Sequence, residues 1–285
     1  MARGLIRWCL VCVLALAGAS VKAAPEAELW ARWAVNNPGS VVQVDHGVWD
    51  RFLSQYVNEG EDGINRLSYG AVTGQDHVAL DGYVQSLSKV LVARLGPDEQ
   101  RAFWINLYNA LTVQVVLDHY PVSSIREISI SPGLFSVGPW KKKLIVIEDE
   151  QISLDDIEHR ILRPIWADAR IHYALNCAAL GCPNLQRMAF TATNSSTLLD
   201  RAARAFVNHP RGVMVEDGRV RVSSLYVWFE ADFGDGELGV LQHLRTYAEP
   251  TLKQLLASAK DIDGDDYDWS LNGASAGAQQ MDADQ

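Results

Sequence analysis

Apolar residues recur at three- and four-residue spacing along most of the chain, a pattern typical of amphipathic helices. The strongest run, RAFWINLYNALTVQVVLDHY, ends at Tyr120. Its apolar side chains occupy most of the helical circumference, which predicts a central, buried helix. Pro97 favours the first turn of this helix and Pro121 ends it. Asn106 and Asn109 would then lie inside a buried helix, where their amides need hydrogen-bond partners.

Shorter amphipathic stretches and brief apolar runs lie on both sides of this helix. Further helices are predicted at 27–33, 46–57, 80–95, 154–162, 193–207 and 240–256. Strands are predicted at 144–147, 170–177, 213–215, 220–222 and 267–271. The strands do not alternate regularly with the helices, so we predict an α+β fold, mainly helical, with a small, mostly antiparallel sheet around the buried central helix.

Reactive side chains concentrate in one stretch, IHYALNCAALGCPNL, which begins at Ile171. Its first half has the apolar character of a buried strand, and its second half contains a Gly-Cys-Pro loop. On a strand, alternate residues share a face, so His172 and Asn176 point one way and Cys177 points the other. Cys182 lies in the loop, where a chain reversal can bring it toward either face. The pattern therefore favours Cys182 as the cysteine that meets His172.

The first residues differ from the rest of the chain. Two arginines precede an apolar run from Trp8 to Leu16, and Val21 and Ala23 supply the small residues of a cleavage site. This pattern predicts a secretory signal peptide over residues 1–23, cleaved near Ala23. The apolar run is short of the roughly 20 residues that a membrane span needs. We therefore predict a periplasmic or secreted protein, with no stable membrane insertion after cleavage.

The remaining chain is predicted to form an N-terminal helical cap (24–95), a core domain (96–272) and a disordered acidic tail (273–285). The formal net charge is -10, and the predicted signal peptide contributes three basic residues and no acidic one. After Lys260 the chain has seven aspartates and no basic residue. An acidic chain repels nucleic acid and anionic lipid, so no nucleic-acid partner is expected.

Three interpretations of the two cysteines outside the signal peptide stay open. In an oxidising compartment Cys177 and Cys182 can form a disulfide. They can also be buried, unreactive thiols, or Cys182 can be a reactive thiolate. A thiolate needs a cation, an imidazole or a helix N-terminus beside it to lower its pKa. Candidate imidazoles are those of His119, His159 and His172.

The polar residues around this stretch also allow two interpretations each. His172 is either a structural histidine or a base oriented by Asn176, Asp156 or Glu158. Asn106 and Asn109 either form a structural network or contact a ligand.

The basic run that includes Lys142 either binds an anionic ligand or lies on a solvated strand edge, where its charges oppose pairing with another strand. Scattered histidines, and an aspartate-rich segment whose spacing does not match an EF-hand, predict no metal site. No cofactor is predicted either.

Several motifs occur in an order that resembles the bacterial and plant family named domain of unknown function 547. They are AFWINLYNALT (102–112), DHYP (118–121), WKKK (140–143), SLDDIEH (153–159), RIHYALNCAALGCPNL (170–185), WFEADFG (228–234) and YDWSLN (267–272). The resemblance extends over roughly residues 99–234, with weaker flanks. It implies no particular reaction, because the family is defined without one.

Two function hypotheses follow. The first is a hydrolase or acyl transferase acting on an unknown small molecule or peptide, with Cys182, His172 and Glu158 as catalytic residues. Its ligand-binding residues would be Asn106, Asn109, Asn176 and Lys142. A buried helix followed by a histidine-bearing strand is also the order in papain-like and transglutaminase-like folds, an analogy at the level of fold. The second hypothesis is a non-catalytic periplasmic binding or assembly protein with a structural Cys177–Cys182 disulfide.

Overall fold

The fold is built around helix α3 (Pro97–His119), which is buried on all sides. The computed structural model describes residues 25–133 and 136–274. Pro97 occupies the first turn of α3, and two acidic residues follow it, where they complement the helix dipole. Phe103, Trp104 and Ile105 are fully buried at successive positions of this helix. The predicted central helix is therefore confirmed, together with the mainly helical α+β class.

The other helices pack around α3 in two groups. Before α3 come α1 (Gly47–Tyr56) and α2 (Gly74–Leu87); after it come α4 (Arg163–Trp166), α5 (Ser195–Val207), α6 (Ser224–Trp228), α7 (Glu230–Phe233), α8 (Gly236–Tyr247) and α9 (Pro250–Leu256). Thr73 caps α2 and Ser223 caps α6, since each side chain accepts a hydrogen bond from a free amide of the first turn. A separate apolar core lies between α5, α6 and α8 and contains Phe206, Tyr226 and Leu241.

The strands are short and form three small sheets. Their bounds are β1 (Val57–Glu59), β2 (Asn65–Leu67), β3 (Ile145–Ile147), β4 (Glu150–Ile152), β5 (Val213–Glu216), β6 (Arg219–Ser223) and β7 (Gly264–Asp266). The β1–β2, β3–β4 and β5–β6 pairs are antiparallel, and β7 adds to β6 in parallel. At the β5–β6 turn, Asp217 and Gly218 both take positive φ, as their sequence predicts.

The strand predicted over residues 170–177 does not form. Instead, Ala169–Tyr173 is a 3-10 helix, capped by the Asp168 side chain, which accepts from the Arg170 amide. The apolar run there resembles a buried strand because the segment is buried on every side, and burial without periodicity does not distinguish the two conformations. The argument that His172 and Asn176 share one strand face is therefore wrong.

Three other predicted elements have different bounds in the structure. The N-terminal stretch predicted as helix 27–33 forms only a 3-10 turn, Ala31–Ala34. The helix predicted at 80–95 begins earlier and ends at Leu87, with a separate 3-10 turn at Val92–Arg94. The last strand is β7, whereas residues 267–271 form only one isolated bridge, from Leu271 to Ala179.

The segment that follows β7 connects distant parts of the chain. The Asn272 amide donates to Ala178 O at 3.0 Å, and Leu67 in β2 donates to Asn272 O at 2.9 Å. Ala274, assigned to the tail by its composition, donates to Leu67 O at 3.0 Å. The predicted signal peptide and most of the predicted tail lie outside the described residues, and the division into cap, core and tail stays a prediction.

Candidate functional site

Three short helical segments bring a group of ionisable side chains together beside the middle of α3. Residues Asp156–Leu162 form a π-helix, in which the Arg163 amide bonds to the Glu158 carbonyl five residues earlier. The π-helix continues into α4, and the Ala169–Tyr173 turn and α7 pack beside it. Wide π turns of this kind are rare and occur often at functional sites.

His172 is held by a carboxylate from α7. Its Nε2 donates to Asp232 Oδ2 at 2.7 Å, and its side chain is only 2% exposed. Arg163 Nε also donates to this oxygen, at 2.5 Å. Burial raises the pKa of Asp232, but the hydrogen bonds from His172 and Arg163 outweigh burial and hold that pKa well below its usual range. Burial lowers the pKa of His172, so the imidazole is neutral and Asp232 sets its tautomer.

The other imidazole nitrogen faces Glu158. Nδ1 of His172 lies 3.7 Å from Glu158 Oε1, which is beyond a direct hydrogen bond. Tyr108 of α3 donates to the second oxygen of Glu158 at 3.2 Å. Burial, opposed by Arg163, raises the pKa of Glu158 to about 7. A neighbouring carboxyl, Asp155, also has its pKa raised by burial, to about 6.

Phe229 covers the two histidines of the group. Its ring lies 4.2 Å from that of His172 and 5.9 Å from that of His159, centroid to centroid. Arg163 donates to His159 Nδ1 at 3.0 Å, and its guanidinium also lies 4.8 Å above the Phe229 ring. Burial, followed by the charge of Arg163, lowers the pKa of His159 to about 3. His159 is thus a neutral, structural acceptor for Arg163.

Four partly exposed aromatic residues, here called the aromatic wall, border this group: Trp140, Trp228, Tyr267 and Trp269. Tyr267 lies 4.7 Å from both Trp228 and Trp269, and Trp140 lies 5.8 Å from Trp269. The wall meets the ionisable group at two points. Trp228 directly precedes Phe229, and the Asp155 amide donates to Trp140 O at 3.0 Å.

The two cysteines lie behind the wall and form a disulfide, Cys177–Cys182. Both sulfurs lie 3.1 Å from the Tyr267 hydroxyl. The described contacts of Cys182 do not include His172, whose two nitrogens both face carboxylates. In this oxidised arrangement Cys182 has no free thiolate, so its predicted nucleophilic role applies only to the reduced protein and stays a prediction.

The predicted ligand-binding asparagines are hydrogen-bonded within the protein. Asn106 exchanges two bonds with the backbone of Phe190, at 2.7 and 3.0 Å. Asn109 donates to Ala174 O at 2.8 Å and accepts from the Asn176 amide at 2.9 Å.

Asn176 in turn donates to Pro183 O at 2.8 Å and accepts from Asn272 Nδ2 at 3.0 Å. These contacts favour the structural interpretation, in which the asparagines connect α3 to the cysteine loop.

The basic run borders the carboxylates of the site through Lys141 and Lys143, whose charges oppose the rise in the pKa of Asp155. Lys142 lines an open cleft of about 850 Å³ that also contains Gln85 and Gln151. Lys143 forms an ion pair with Asp156, which also accepts from the Ser153 hydroxyl at 2.6 Å. Among the described residues, Lys142 forms no ion pair with an acidic group, and its role in ligand binding stays a prediction.

Sequence reasoning singled out His172 and Glu158 but missed the residues that orient them. Asp232 belongs to the WFEADFG motif, which contributed to the family resemblance without a role. Arg163 follows the SLDDIEH motif, and Tyr108 lies between the two asparagines of α3. Only the juxtaposition of three separate segments shows their function, and no spacing along the chain indicates it.

Comparison with known families gives one match. A family model described as "Protein of unknown function, DUF547" matches residues 92–207. This segment of the chain belongs to the DUF547 family. The matched segment contains α3, the π-helix and the cysteine loop, whereas Asp232 and most of the aromatic wall lie beyond it. No curated protein and no solved structure matches the chain.

Across 25–133 and 136–274, no helix is both long and apolar enough to cross a membrane. Within those same ranges, no group of three or more His, Cys, Asp or Glu side chains has the arrangement of a metal site.

Proposed function

We propose that this protein is an exported acid–base enzyme, a hydrolase or acyl transferase, in which Glu158 and His172 exchange protons with the substrate. The observation that supports the proposal most strongly is the pair itself. The carboxyl of Glu158, whose pKa is raised to about 7, lies 3.7 Å from the neutral imidazole of His172. Asp232 accepts a hydrogen bond from this imidazole, and Tyr108 donates one to the carboxyl.

A pKa near the working pH suits general acid–base catalysis, because both protonation states are then populated. Glu158 is 12% exposed, so it is the member of the pair that solvent or substrate reaches. A water or hydroxyl between Glu158 and Nδ1 of His172 would lose its proton to one group as it attacks an acyl carbon. Asp232 would stabilise the imidazolium that forms, as a buried carboxylate does in catalytic triads.

The aromatic wall supplies a surface for the rest of the substrate. Partly exposed Trp and Tyr side chains bind planar or apolar groups through large contact areas. A small molecule or peptide with such a group next to an ester or amide bond is the expected substrate class. In the oxidised protein the attacking group is water, and Cys182 would replace it as nucleophile only after reduction of the disulfide.

The test is a panel of chromogenic ester, amide and thioester substrates, assayed with the purified mature protein and three variants. Glu158→Gln and His172→Ala should each lower kcat by about 100-fold or more, the range for loss of a general acid–base group. Glu61→Gln, an exposed loop substitution, is the matched control. Folded E158Q and H172A proteins with wild-type kcat, or no turnover of any substrate in the panel, would contradict the proposal.

The disulfide supports a second candidate, a non-catalytic binding or assembly protein. Here Cys177–Cys182 staples the loop beneath the aromatic wall, and the wall alone binds a ligand. The two candidates differ in turnover. A ligand that quenches the fluorescence of the wall tryptophans but is recovered unchanged favours the binding protein.

Export is the remaining part of the proposal, motivated by the N-terminal sequence and by a disulfide, which oxidising compartments favour. Expression of the full chain in a Gram-negative host should yield a periplasmic protein whose N-terminal sequence begins at Ala24. Replacement of Leu14 by Arg, within the apolar run, should keep it in the cytoplasm with an uncleaved N-terminus. Cytoplasmic wild-type protein that retains Met1 would disprove export.

A further inference from the structure

The two sulfurs of the disulfide are in unequal surroundings. Cys177 is partly exposed, whereas Cys182 is 2% exposed. We infer that Cys177–Cys182 is an exchangeable disulfide, in which an external thiolate attacks Cys177 and Cys182 is the leaving group. The partner is a thiol, either a small monothiol or a cysteine of another protein. This activity is separate from the acid–base function proposed above.

The surroundings of Cys182 are built to hold a thiolate. The amide N–H of Cys177 donates to Cys182 Sγ at 3.0 Å and distinguishes this sulfur from its partner. The Tyr267 hydroxyl lies 3.1 Å from both sulfurs and is a second donor to Cys182. Burial, followed by the charge of Glu158, raises the pKa of Tyr267, so its hydroxyl stays protonated and remains a donor. A hydrogen bond to a charged group is stronger than one to a neutral group, so both donors favour the thiolate over the disulfide sulfur.

A cleft of about 390 Å³ borders the loop that joins the two cysteines and is lined by neither cysteine. Leu180 and Gly181 of this loop line the cleft, together with Tyr267 and Arg211. Arg211 donates to Leu180 O at 2.7 Å, which fixes a positive charge at the loop. Three aspartates, two other arginines and several apolar side chains complete the lining, so the cleft has mixed charge. Arg211 is the group expected to attract an approaching thiolate.

The exchange is balanced without any further reactant. The thiolate forms an S–S bond to Cys177 Sγ as the Cys177–Cys182 bond breaks, and the electron pair of the broken bond stays on Cys182. A second thiol then attacks the external sulfur of the mixed disulfide and releases Cys177. Two external thiols are thereby oxidised to one disulfide. Of the two protons that they lose, one is taken up by the released Cys177, and the other goes to solvent as long as Cys182 stays a thiolate. Reoxidation is the same sequence in reverse.

The first experiment uses glutathione as the small-thiol probe and a reduced single-cysteine peptide as the protein-thiol probe. The folded, oxidised protein is incubated with each, quenched with N-ethylmaleimide and analysed by peptide mass spectrometry. We expect mixed disulfides at Cys177 and none at Cys182, with the faster probe identifying the source of the natural thiol. A protein that neither probe reduces while it is folded, or a mixed disulfide at Cys182, would overturn the inference.

A second experiment isolates the role of Tyr267. Tyr267→Phe keeps the ring in the aromatic wall but removes one donor to Cys182, and should slow the first exchange step by about tenfold, the effect of one charge-assisted hydrogen bond. Tyr226→Phe removes a buried hydroxyl that, among the described residues, hydrogen-bonds to Tyr173, and is the matched control. If the disulfide is purely structural, Tyr267→Phe should leave the rate of the first exchange step unchanged or raise it, because a loosened loop is reduced as fast or faster. Equal rates for the two variants would therefore disprove the inference.

Discussion

At the scale of single residues, the site depends on a few charges held out of water. Burial raises the pKa values of Glu158 and Asp232 and lowers that of His172, so it opposes the charge on all three. The hydrogen bonds from His172 and Arg163 reverse this effect at Asp232, which stays ionised. Arg163 is the common partner, because it pairs with Asp232 and its charge opposes the rise in the pKa of Glu158. A carboxyl group with a raised pKa next to a neutral imidazole is the arrangement expected of a proton-transfer site.

The raised pKa of Glu158 predicts a specific pH dependence of stability. Its pKa is 4.5 in an unfolded chain and about 7 in the folded protein, so folding is coupled to proton uptake between these values. The stabilising contribution is complete below pH 4.5 and is lost as the pH rises through 7. Glu158→Gln is neutral at every pH, so the free energy of unfolding of the variant should rise relative to wild type across this interval, by about 1–3 kcal/mol.

Urea denaturation at pH values from 4 to 8 measures this difference. The buried His172 has its own pH dependence, which the comparison of variant with wild type largely cancels. Glu61→Gln, in the exposed loop between β1 and β2, should show no such trend. A pH-independent difference for E158Q would mean that Glu158 has an ordinary pKa.

At the scale of elements, α3 is a scaffold whose polar residues fix the loops around it. Asn106 bonds to the backbone before α5, and Asn109 bonds to both Ala174 O and the Asn176 amide. These loops have irregular backbones, so the side-chain amides replace the hydrogen bonds that a sheet or helix would supply. The cysteine loop is therefore positioned by α3 instead of by a strand.

Asn109→Asp tests this role of α3. A carboxylate can still accept from the Asn176 amide but cannot donate to Ala174 O, which leaves a buried carbonyl unpaired next to a buried charge. The free energy of unfolding should fall by about 2–4 kcal/mol, as measured by chemical denaturation. Asn37→Asp is the control, because the exposed Asn37 uses only its acceptor oxygen, toward the Gly39 amide. Equal stabilities of the two variants would show that the Asn109 contacts carry little energy.

At the scale of the whole molecule, the last described residues join the N-terminal hairpin to the cysteine loop. Asn272 is 1% exposed; it accepts from the Tyr69 hydroxyl at 2.9 Å and donates to Asn176 Oδ1 at 3.0 Å. Its backbone also bonds to Ala178 and Leu67. One residue thus holds β2, the cysteine loop and the segment that carries Tyr267 in a fixed arrangement.

Asn272→Ala should therefore affect more than local stability. It removes two buried hydrogen bonds, so the free energy of unfolding should fall by about 2–3 kcal/mol. Hydrogen exchange should also become faster at the amides of Leu67 and Leu180, on opposite sides of residue 272. Ser270→Ala is the control, since Ser270 is exposed and its bond to Leu180 uses the backbone carbonyl. Faster exchange confined to residues 270–274 would argue against this wider role.

The amino-acid sequence by itself determined the buried central helix, the mainly helical class, the β5–β6 hairpin and the similarity to the DUF547 family, because each rests on local periodicity, turn chemistry or contiguous motifs. It also indicated His172 and Glu158. Only the tertiary structure decided that 170–177 is not a strand and that Asp232, Arg163 and Tyr267 surround the site. These residues lie far apart along the chain, and the pKa of Glu158 and the contacts of Cys182 arise from their packing, which sequence spacing does not encode.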